Sequence, residues 1–219
     1  MKDGGSLATA GDRRFAALCC RWMALGFFAA GLATLFDPAL ESPGRFWQLL
    51  LLEPFWFLTA RWSLVLVALA GLGVADALRD DLARDPGRGA VAQWLFRIAQ
   101  LSLFTTALVN VQFASIAVLY VRLDPQGMLW LGGLGVWALG SSLLALGGHQ
   151  PRTVVAAGIA LGLTLSVVPI AAILGNNVVW LLAVGLGSMV TAPLWLLLLG
   201  RHLGQPVTAS APTSLPSVG

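Results

Sequence analysis

Long apolar stretches separated by short polar breaks run along most of the chain. The hydrocarbon core of a bilayer is about 30 Å thick, so a helix that crosses it needs about 20 apolar residues. Several stretches reach that length, and residues 153–200 contain no Asp, Glu, Lys or Arg. Strands of a membrane barrel would alternate apolar and polar residues, whereas these stretches are apolar on all sides. The pattern therefore predicts an all-α bundle of transmembrane helices.

Six spans are predicted, with both termini in the cytoplasm. They cover residues 15–36, 62–78, 97–120, 128–147, 154–174 and 178–199. Turn-forming residues separate the later spans, as at Gly175-Asn176-Asn177. The domain organisation that follows is a cytoplasmic segment 1–14, a transmembrane domain 15–202 and a disordered cytoplasmic tail 203–219.

Residues 37–61, between the first two predicted spans, are apolar but interrupted at Glu53-Pro54. We expect this segment to lie at the outer interface as a short helix, or to fold onto the bundle as a lip. Alternatively, the second span begins at Pro54 and crosses at a tilt, with Arg61 reaching outward. The role of the segment is either that of a lid or partner-docking surface, or that of a loop resting on the membrane.

The distribution of charge sets the predicted orientation. Of the 13 basic residues, ten fall on the side that holds the amino terminus, and three, Arg45, Arg61 and Arg122, fall on the other. Basic residues are enriched on the cytoplasmic side of membrane proteins, which places both termini there. Tryptophans mark the boundaries, because their amphipathic rings favour the headgroup level. Trp22 and Trp195 fall near the predicted inner boundary, as does Trp94.

Composition narrows the expected location and partners. The chain is 58% apolar and 11% charged, whereas about 25% of the residues in soluble domains are charged. The richness in Arg, Ala, Leu and Gly suggests a bacterial genome, so the predicted location is the bacterial cytoplasmic membrane. The net charge of +3 comes from Arg at helix ends. The expected partners are therefore the lipid bilayer and other membrane subunits or a second copy, not nucleic acid.

The third predicted span is the most polar, and its polar residues lie on several sides. We expect it near the centre of the bundle, because neighbouring helices must accept its hydrogen bonds. Thr106, Asn110 and Gln112 are the candidate residues of a polar pocket. They would either line a site or path for a small solute, or hydrogen-bond to adjacent helices.

Ionisable residues inside the predicted spans are confined to the inner ends. Asp76 ends the second span, Arg97 opens the third, and Arg21 lies at similar depth. We expect an ion pair between Asp76 and either Arg97 or Arg21. The middle of the predicted membrane zone holds no Asp, Glu, Lys or His, which argues against a proton- or cation-coupled pump.

Small residues recur four positions apart, a spacing that lets helices approach closely in lipid. They include Gly158 with Gly162, Gly187 with Ala183 and Thr191, and Gly71 with Ala75. Pro169 and Pro193 are expected to kink the fifth and sixth helices.

No catalytic, metal or cofactor site is predicted from the sequence, and an enzyme is not expected. His149 and His202, the only histidines, fall outside the apolar stretches. Cys19 and Cys20 are adjacent within the first span and are expected to be packing residues.

Three motifs resemble those of an uncharacterised bacterial family of six-span membrane proteins. They are Arg13-Arg14-Phe15 entering the first span, Leu95-Phe96-Arg97-Ile98-Ala99-Gln100 entering the third, and Pro193-Leu194-Trp195 followed by a leucine run closing the sixth. The resemblance implies the same architecture over residues 13–202, but it implies no activity. Members of the family often have Glu where this chain has Gln100.

Two functions fit this pattern. The first is binding or passage of a small neutral or lipidic solute beside Thr106, Asn110 and Gln112. The second is an accessory or assembly role, in which small-residue faces pack against a larger membrane complex. A cavity that reaches Asn110 would favour the first function, and a solid core with a flat small-residue face would favour the second.

Overall fold

The computed structural model of the chain describes residues 10–36, 54–83, 94, 97–98, 101, 150–174 and 176–205. Within these residues the secondary structure is helical and contains no strand, as the all-α prediction requires. Helix α1 spans Ala10–Leu35, α2 spans Pro54–Ala83, α3 spans Arg152–Ile173 and α4 spans Asn177–Leu186. A π-helical turn, Gly187–Thr191, joins α4 to α5, which spans Ala192–Gly204. The fourth predicted span, most of the third and the tail from residue 206 lie outside the described residues.

Three helical stretches in the described part are long and apolar enough to cross a membrane. They are Gly11–Leu35, Phe55–Ala75 and Val178–Gly204, while the apolar part of α3, Arg152–Val168, is shorter. The outer face of α4 and α5 exposes large apolar side chains at helical spacing, namely Leu182, Leu186, Val190, Leu194 and Leu197. A protein in water rarely exposes an apolar stripe of this extent, so the helix exteriors fit a lipid environment.

Helix α2 begins at Pro54 rather than Trp62, so the first prediction for this span was wrong and the alternative start was right. Proline suits the first turn of a helix, where its missing N–H would have no helical acceptor. Residues 54–61 of the predicted interfacial segment therefore belong to α2, and residues 37–53 lie outside the described residues. The guanidinium carbon of Arg61 lies 4.9 Å from the centre of the Phe57 ring, one turn towards the amino end.

The other helix boundaries lie close to their predictions. Helix α1 begins at Ala10 rather than Phe15, so that Arg13 and Arg14 are helical rather than part of a preceding segment. Asn176 caps α4, because its side-chain oxygen accepts a hydrogen bond from the Val179 N–H at 3.1 Å. The turn predicted between the last two helices is therefore present.

Helix α1 packs antiparallel to α2 along one of its faces. A β-carbon at Gly73 would lie 3.0 Å from Cys19 Sγ, and one at Gly26 would lie 2.7 Å from Val67 Cγ2. At the far end of this pair, the rings of Phe36 and Trp56 stack. These three contacts show that α1 and α2 run in opposite directions along their whole shared length.

The opposite face of α1 packs antiparallel to the π-turn and α5. Ala17 on α1 lies against Gly204, while Gly31 lies against Ser188. At about 100° per residue, the residues that contact α2 and those that contact α5 fall on opposite sides of α1. Among the described helices α1 is thus the central one, and the predicted central position of the third span falls outside the described residues.

Helix α3 packs against α4, the π-turn and α5, which together we call the last helical unit. A β-carbon at Gly187 would lie 2.7 Å from Leu165 Cδ2, and Val168 packs with Ala183 and Val184. This order makes α3 antiparallel to α4 and α5. The amino ends of α1 and α3 therefore lie at the same end of the bundle as the carboxyl ends of α2 and α5.

Trp195 is fully buried in the core with Phe27 and Met23. It lies on the face of α5 that meets the rest of the bundle. Trp22 and Trp94, by contrast, are 47% and 65% exposed. Burial reports contact with neighbouring helices and not depth in a membrane, so the inner-boundary assignment of these three tryptophans stays a prediction.

Candidate functional site

The residues predicted to form sites fall largely outside the described chain. Thr106, Asn110 and Gln112 all do, so the polar pocket stays a prediction. Arg21 is exposed on α1, and the guanidinium carbon of Arg97 lies 5.9 Å from the centre of the Trp94 ring. Asp76 belongs to α2, but its side chain is outside the described part, so its ion pair with Arg97 or Arg21 also stays a prediction.

Five hydroxyl groups in the described helices donate to carbonyl oxygens of their own helix. The pairs, donor first, are Thr34 with Ala30 (2.8 Å), Thr164 with Ala160 (2.7 Å), Ser166 with Gly162 (2.7 Å), Ser188 with Val184 (2.6 Å) and Thr191 with Gly187 (3.2 Å). Such bonds satisfy the hydroxyl hydrogen without help from a neighbouring helix or a ligand. These five hydroxyls are therefore not arranged as donors to a bound solute.

The π-turn changes the backbone hydrogen bonding in the middle of the last helical unit. The Ala192 N–H donates to the Gly187 carbonyl, five residues back, rather than to the Ser188 carbonyl. Pro193 follows and has no N–H. The Ser188 carbonyl thus loses both donors that a helix would offer it. Single π-turns inside α-helices are frequent at functional sites.

Gly31 brings the backbone of α1 against this π-turn. A β-carbon at Gly31 would overlap Ser188 Oγ and would lie 2.8 Å from Met189 Cγ. Ser188 is itself buried, with 6% of its surface exposed. The close approach of the two backbones therefore depends on the absence of a side chain at Gly31.

Four arginines meet at one end of the bundle, which we call the basic end. Arg13 and Arg14 lie in the first two turns of α1, Arg152 opens α3, and Arg201 lies in the last turn of α5. Arg14, Arg152 and Arg201 are exposed, whereas Arg13 is partly buried. The antiparallel packing of the helices concentrates positive charge at this end.

Two buried polar atoms near the basic end lack a hydrogen-bond partner among the described residues. They are Arg13 Nε and Gln150 Oε1. Gln150 is 9% exposed and lies just before α3, next to Pro151. A buried polar group without a partner costs about 1–3 kcal/mol. Such atoms therefore mark places where water or a ligand group completes the bonding.

The two cysteines occupy the two packing faces of α1. Both are free thiols and buried. Cys19 lies against Gly73 of α2, and Cys20 lies against Gly200 of α5. They are packing residues, as the sequence predicted. Within the described ranges, no three His, Cys, Asp or Glu side chains are grouped closely enough to hold a metal ion.

The π-turn and Gln150 are features that the sequence pattern alone did not predict. The apolar positions change phase across residues 187–191, and this shift is the signal that could have indicated an extra residue before Pro193. Gln150 lies in a turn-type sequence, which does not indicate its burial. Arg13 contributes to the charge count whichever face of α1 it occupies, so the count does not indicate its partial burial.

Comparison of the chain with protein-family models, with curated proteins and with solved structures finds no match. The resemblance to a six-span bacterial family, based on Arg13-Arg14-Phe15 and two further motifs, therefore stays a prediction.

Proposed function

We propose that the protein is a six-span integral membrane protein of the bacterial cytoplasmic membrane, with its basic end in the cytoplasm, that serves as an assembly subunit. The convergence of Arg13, Arg14, Arg152 and Arg201 supports the orientation, because basic residues are retained on the cytoplasmic side. Helix α2 ends at the same end of the bundle at which α3 begins. The chain between them, residues 84–151, must therefore start and finish at that end. Two crossings, as predicted for residues 97–120 and 128–147, meet this requirement.

The filled interior of the described bundle is the observation that carries the assembly role. Trp195, Phe27 and Met23 are fully buried among α1, α2 and α5. Five hydroxyls of the described helices, among them the buried Ser188, donate to carbonyls of their own helix, so these five do not form a row of donors for a solute. A packed core fits a protein that holds or positions other membrane subunits.

An exposed small-residue face on α3 supports the same role. Ala156 and Ala160 are both exposed and lie one turn apart. Small residues at this spacing let a second helix approach closely in lipid. The competing function, a solute site beside Asn110 and Gln112, is favoured by the amides in the third predicted span.

The test is purification of the full-length protein in mild detergent, followed by native mass spectrometry. We expect a defined oligomer or a co-purifying membrane subunit. The double variant Ala156→Leu/Ala160→Leu should lose that partner, because the added side chains hold helices apart. Val190→Leu, which enlarges an exposed residue on another helix, is the matched control and should keep it.

The alternative function has a different outcome in the same experiment. A monomer that retains a neutral lipid or small molecule, and that loses this ligand in Asn110→Ala/Gln112→Ala, would replace the assembly role with the solute role. A monomer with no bound molecule would contradict both functions.

A further inference from the structure

We propose that the basic end binds the phosphate group of an anionic phospholipid, at the junction between the start of α1 and the end of α5. The inference rests on the membrane location proposed above and names a ligand class for one place in the bundle. Basic pockets between transmembrane helices on the cytoplasmic side are known to accept anionic headgroups. Here the position, the side-chain charges and an unused donor point to the same junction.

The contacts at the end of α5 place Arg13 at the junction. A β-carbon at Gly200 would lie 3.2 Å from the Ala17 carbonyl oxygen, and one at Gly204 would lie 3.5 Å from Ala17 Cβ. Arg13 lies one turn before Ala17 and therefore on the same face of α1. Because α5 ends at Gly204, Arg13 lies at the point where α1 extends beyond it. Arg14, about 100° further round α1, is on a different face.

The side-chain charges at this junction favour an anion. Helix α1 directs the positive end of its dipole towards the basic end and α5 directs its negative end there, so the two dipoles offset each other at the junction. The charges of Arg13 and Arg201 remain, and a phosphate group would compensate them.

The acidic residues that the structure describes near this end belong to α1 and α2 and not to α5. Asp12, in the first turn of α1, already has an interaction partner of its own. Asp76, Asp80 and Asp81 belong to the last turns of α2. Helix α2 packs on the face of α1 opposite to α5, so the end of α2 lies across α1 from the junction.

The unused donor is Arg13 Nε, which is buried and has no hydrogen-bond partner among the described residues. A phosphate oxygen is a strong acceptor for a guanidinium N–H, and such charge-assisted bonds are about twice as strong as neutral ones. Side chains on a helix lean towards its amino end, so Arg13 leans towards the headgroup layer. Arg201, in the last turn of α5, adds a second positive charge at the junction.

The test uses the full-length protein in mild detergent, with lipid binding counted by native mass spectrometry. Phosphatidylglycerol should be retained, whereas phosphatidylcholine and inorganic phosphate at equal concentration should not. Arg13→Gln should weaken phosphatidylglycerol binding about tenfold, the effect expected for one charge-assisted hydrogen bond. Arg14→Gln is the matched control, because it removes the same charge from the adjacent position but from another face, and it should bind like the wild type.

Three results would overturn the proposal. Equal losses in Arg13→Gln and Arg14→Gln would mean diffuse attraction rather than a site. Retention of inorganic phosphate without phosphatidylglycerol would mean a site for a free anion. Full recovery of binding in Arg13→Lys, which keeps the charge but has no Nε–H, would remove the role of that donor.

Folding and orientation are measured separately. Cys19 and Cys20 are buried, so their protection from a maleimide reports that each variant is folded. Binding in detergent does not depend on which way the protein faces in a cell. A wrong orientation with intact lipid binding is therefore distinguishable from a correct orientation without it.

Discussion

Glycines at the helix crossings determine how closely the backbones approach. A β-carbon at Gly200 would lie 2.9 Å from Cys20 Cβ and 3.2 Å from the Ala17 carbonyl oxygen, and neither atom can rotate away. Gly26 makes a similarly close contact with Val67. Between helices in lipid the hydrophobic effect gives little attraction, so van der Waals packing at these points supplies much of it.

Gly200→Ala is therefore expected to lower the thermal midpoint of unfolding by several degrees, because overpacking costs about 1–3 kcal/mol. Gly185, in the same helical unit, has open space where a β-carbon would lie, with no atom within 4 Å. Gly185→Ala should leave the midpoint unchanged or raise it slightly through better helix propensity. Maleimide reaction of Cys19 and Cys20 during heating in mild detergent measures both midpoints. Equal midpoints for the two variants would contradict the packing account.

At the scale of single residues, the sequence predicted the kind of packing but not each contact. The spacing of four correctly marked Gly187 as an interface residue. Gly31 has Phe27 and Leu35 at the positions four away, so no small-residue repeat points to it. Its contact with Ser188 depends on where two helices cross, which a linear pattern does not contain.

At the scale of elements, the π-turn brings the buried faces of α4 and α5 onto the same side of the helix. Its buried positions are Ala183, Val184, Gly187 and Ser188, and then Ala192, Trp195, Leu196, Leu199 and Leu203. In a continuous α-helix at about 100° per residue, the second group would face about 100° away from the first. One extra residue in the turn cancels this difference, so both groups are buried. The turn also keeps the ring of Pro193 from clashing with the carbonyl of the preceding turn.

The extra residue can be tested by deletion in a Pro193→Ala background, in which a regular α-helix is sterically allowed. Deletion of Val190, which is 51% exposed in the π-turn, should give a folded protein, because α5 keeps its phase. Deletion of Leu182, which is 67% exposed in α4, should prevent folding, because it rotates the π-turn and α5 by about 100°. Monodisperse elution in detergent separates the two outcomes. Equal damage from both deletions would show that the turn holds no spare residue.

The lengths of the apolar stretches predicted that the helices exist, but they did not predict where α2 starts. Pro54 is both a helix breaker and a favoured first residue, and the local sequence does not choose between these roles. The stacking of Phe36 on Trp56, with ring centroids 5.5 Å apart, pairs the end of α1 with the start of α2. The two residues are about 20 positions apart along the chain, which is beyond the range of local sequence patterns.

The burial of Trp195 depends on the direction that α5 faces. The π-turn sets this direction, whereas the proline at position 193 predicts only a kink. Trp195 therefore lies in the core, which its distance from the helix end does not indicate.

At the scale of the whole molecule, the two ends of the bundle differ in chemistry. The basic end collects arginines from α1, α3 and α5, while the other end carries Phe36, Phe55 and Trp56. In the orientation proposed above, the charged end would face the cytoplasm and the aromatic end would lie at the outer boundary. The polar pocket predicted at Asn110 and Gln112 lies in the part of the chain that the described helices do not include.

Labelling with a membrane-impermeant maleimide in cells tests the orientation. Wild-type protein is the blank, because both native cysteines are buried. Phe36→Cys should react in intact cells, whereas Thr153→Cys and Gln205→Cys should react only after permeabilisation; all three positions are exposed. Reaction of Thr153→Cys and Gln205→Cys from opposite sides would contradict the antiparallel bundle itself, since α3 begins where α5 ends.

The same labelling counts the spans between α2 and α3. Six spans require Arg84→Cys to react only after permeabilisation and Asp124→Cys to react in intact cells. If both react only after permeabilisation, residues 84–151 make no crossing and the protein has four spans. The basic end would then keep its orientation, because α2 still ends and α3 still begins on the cytoplasmic side. The span number and the orientation are therefore separate properties, and only the second depends on the arginines at the basic end.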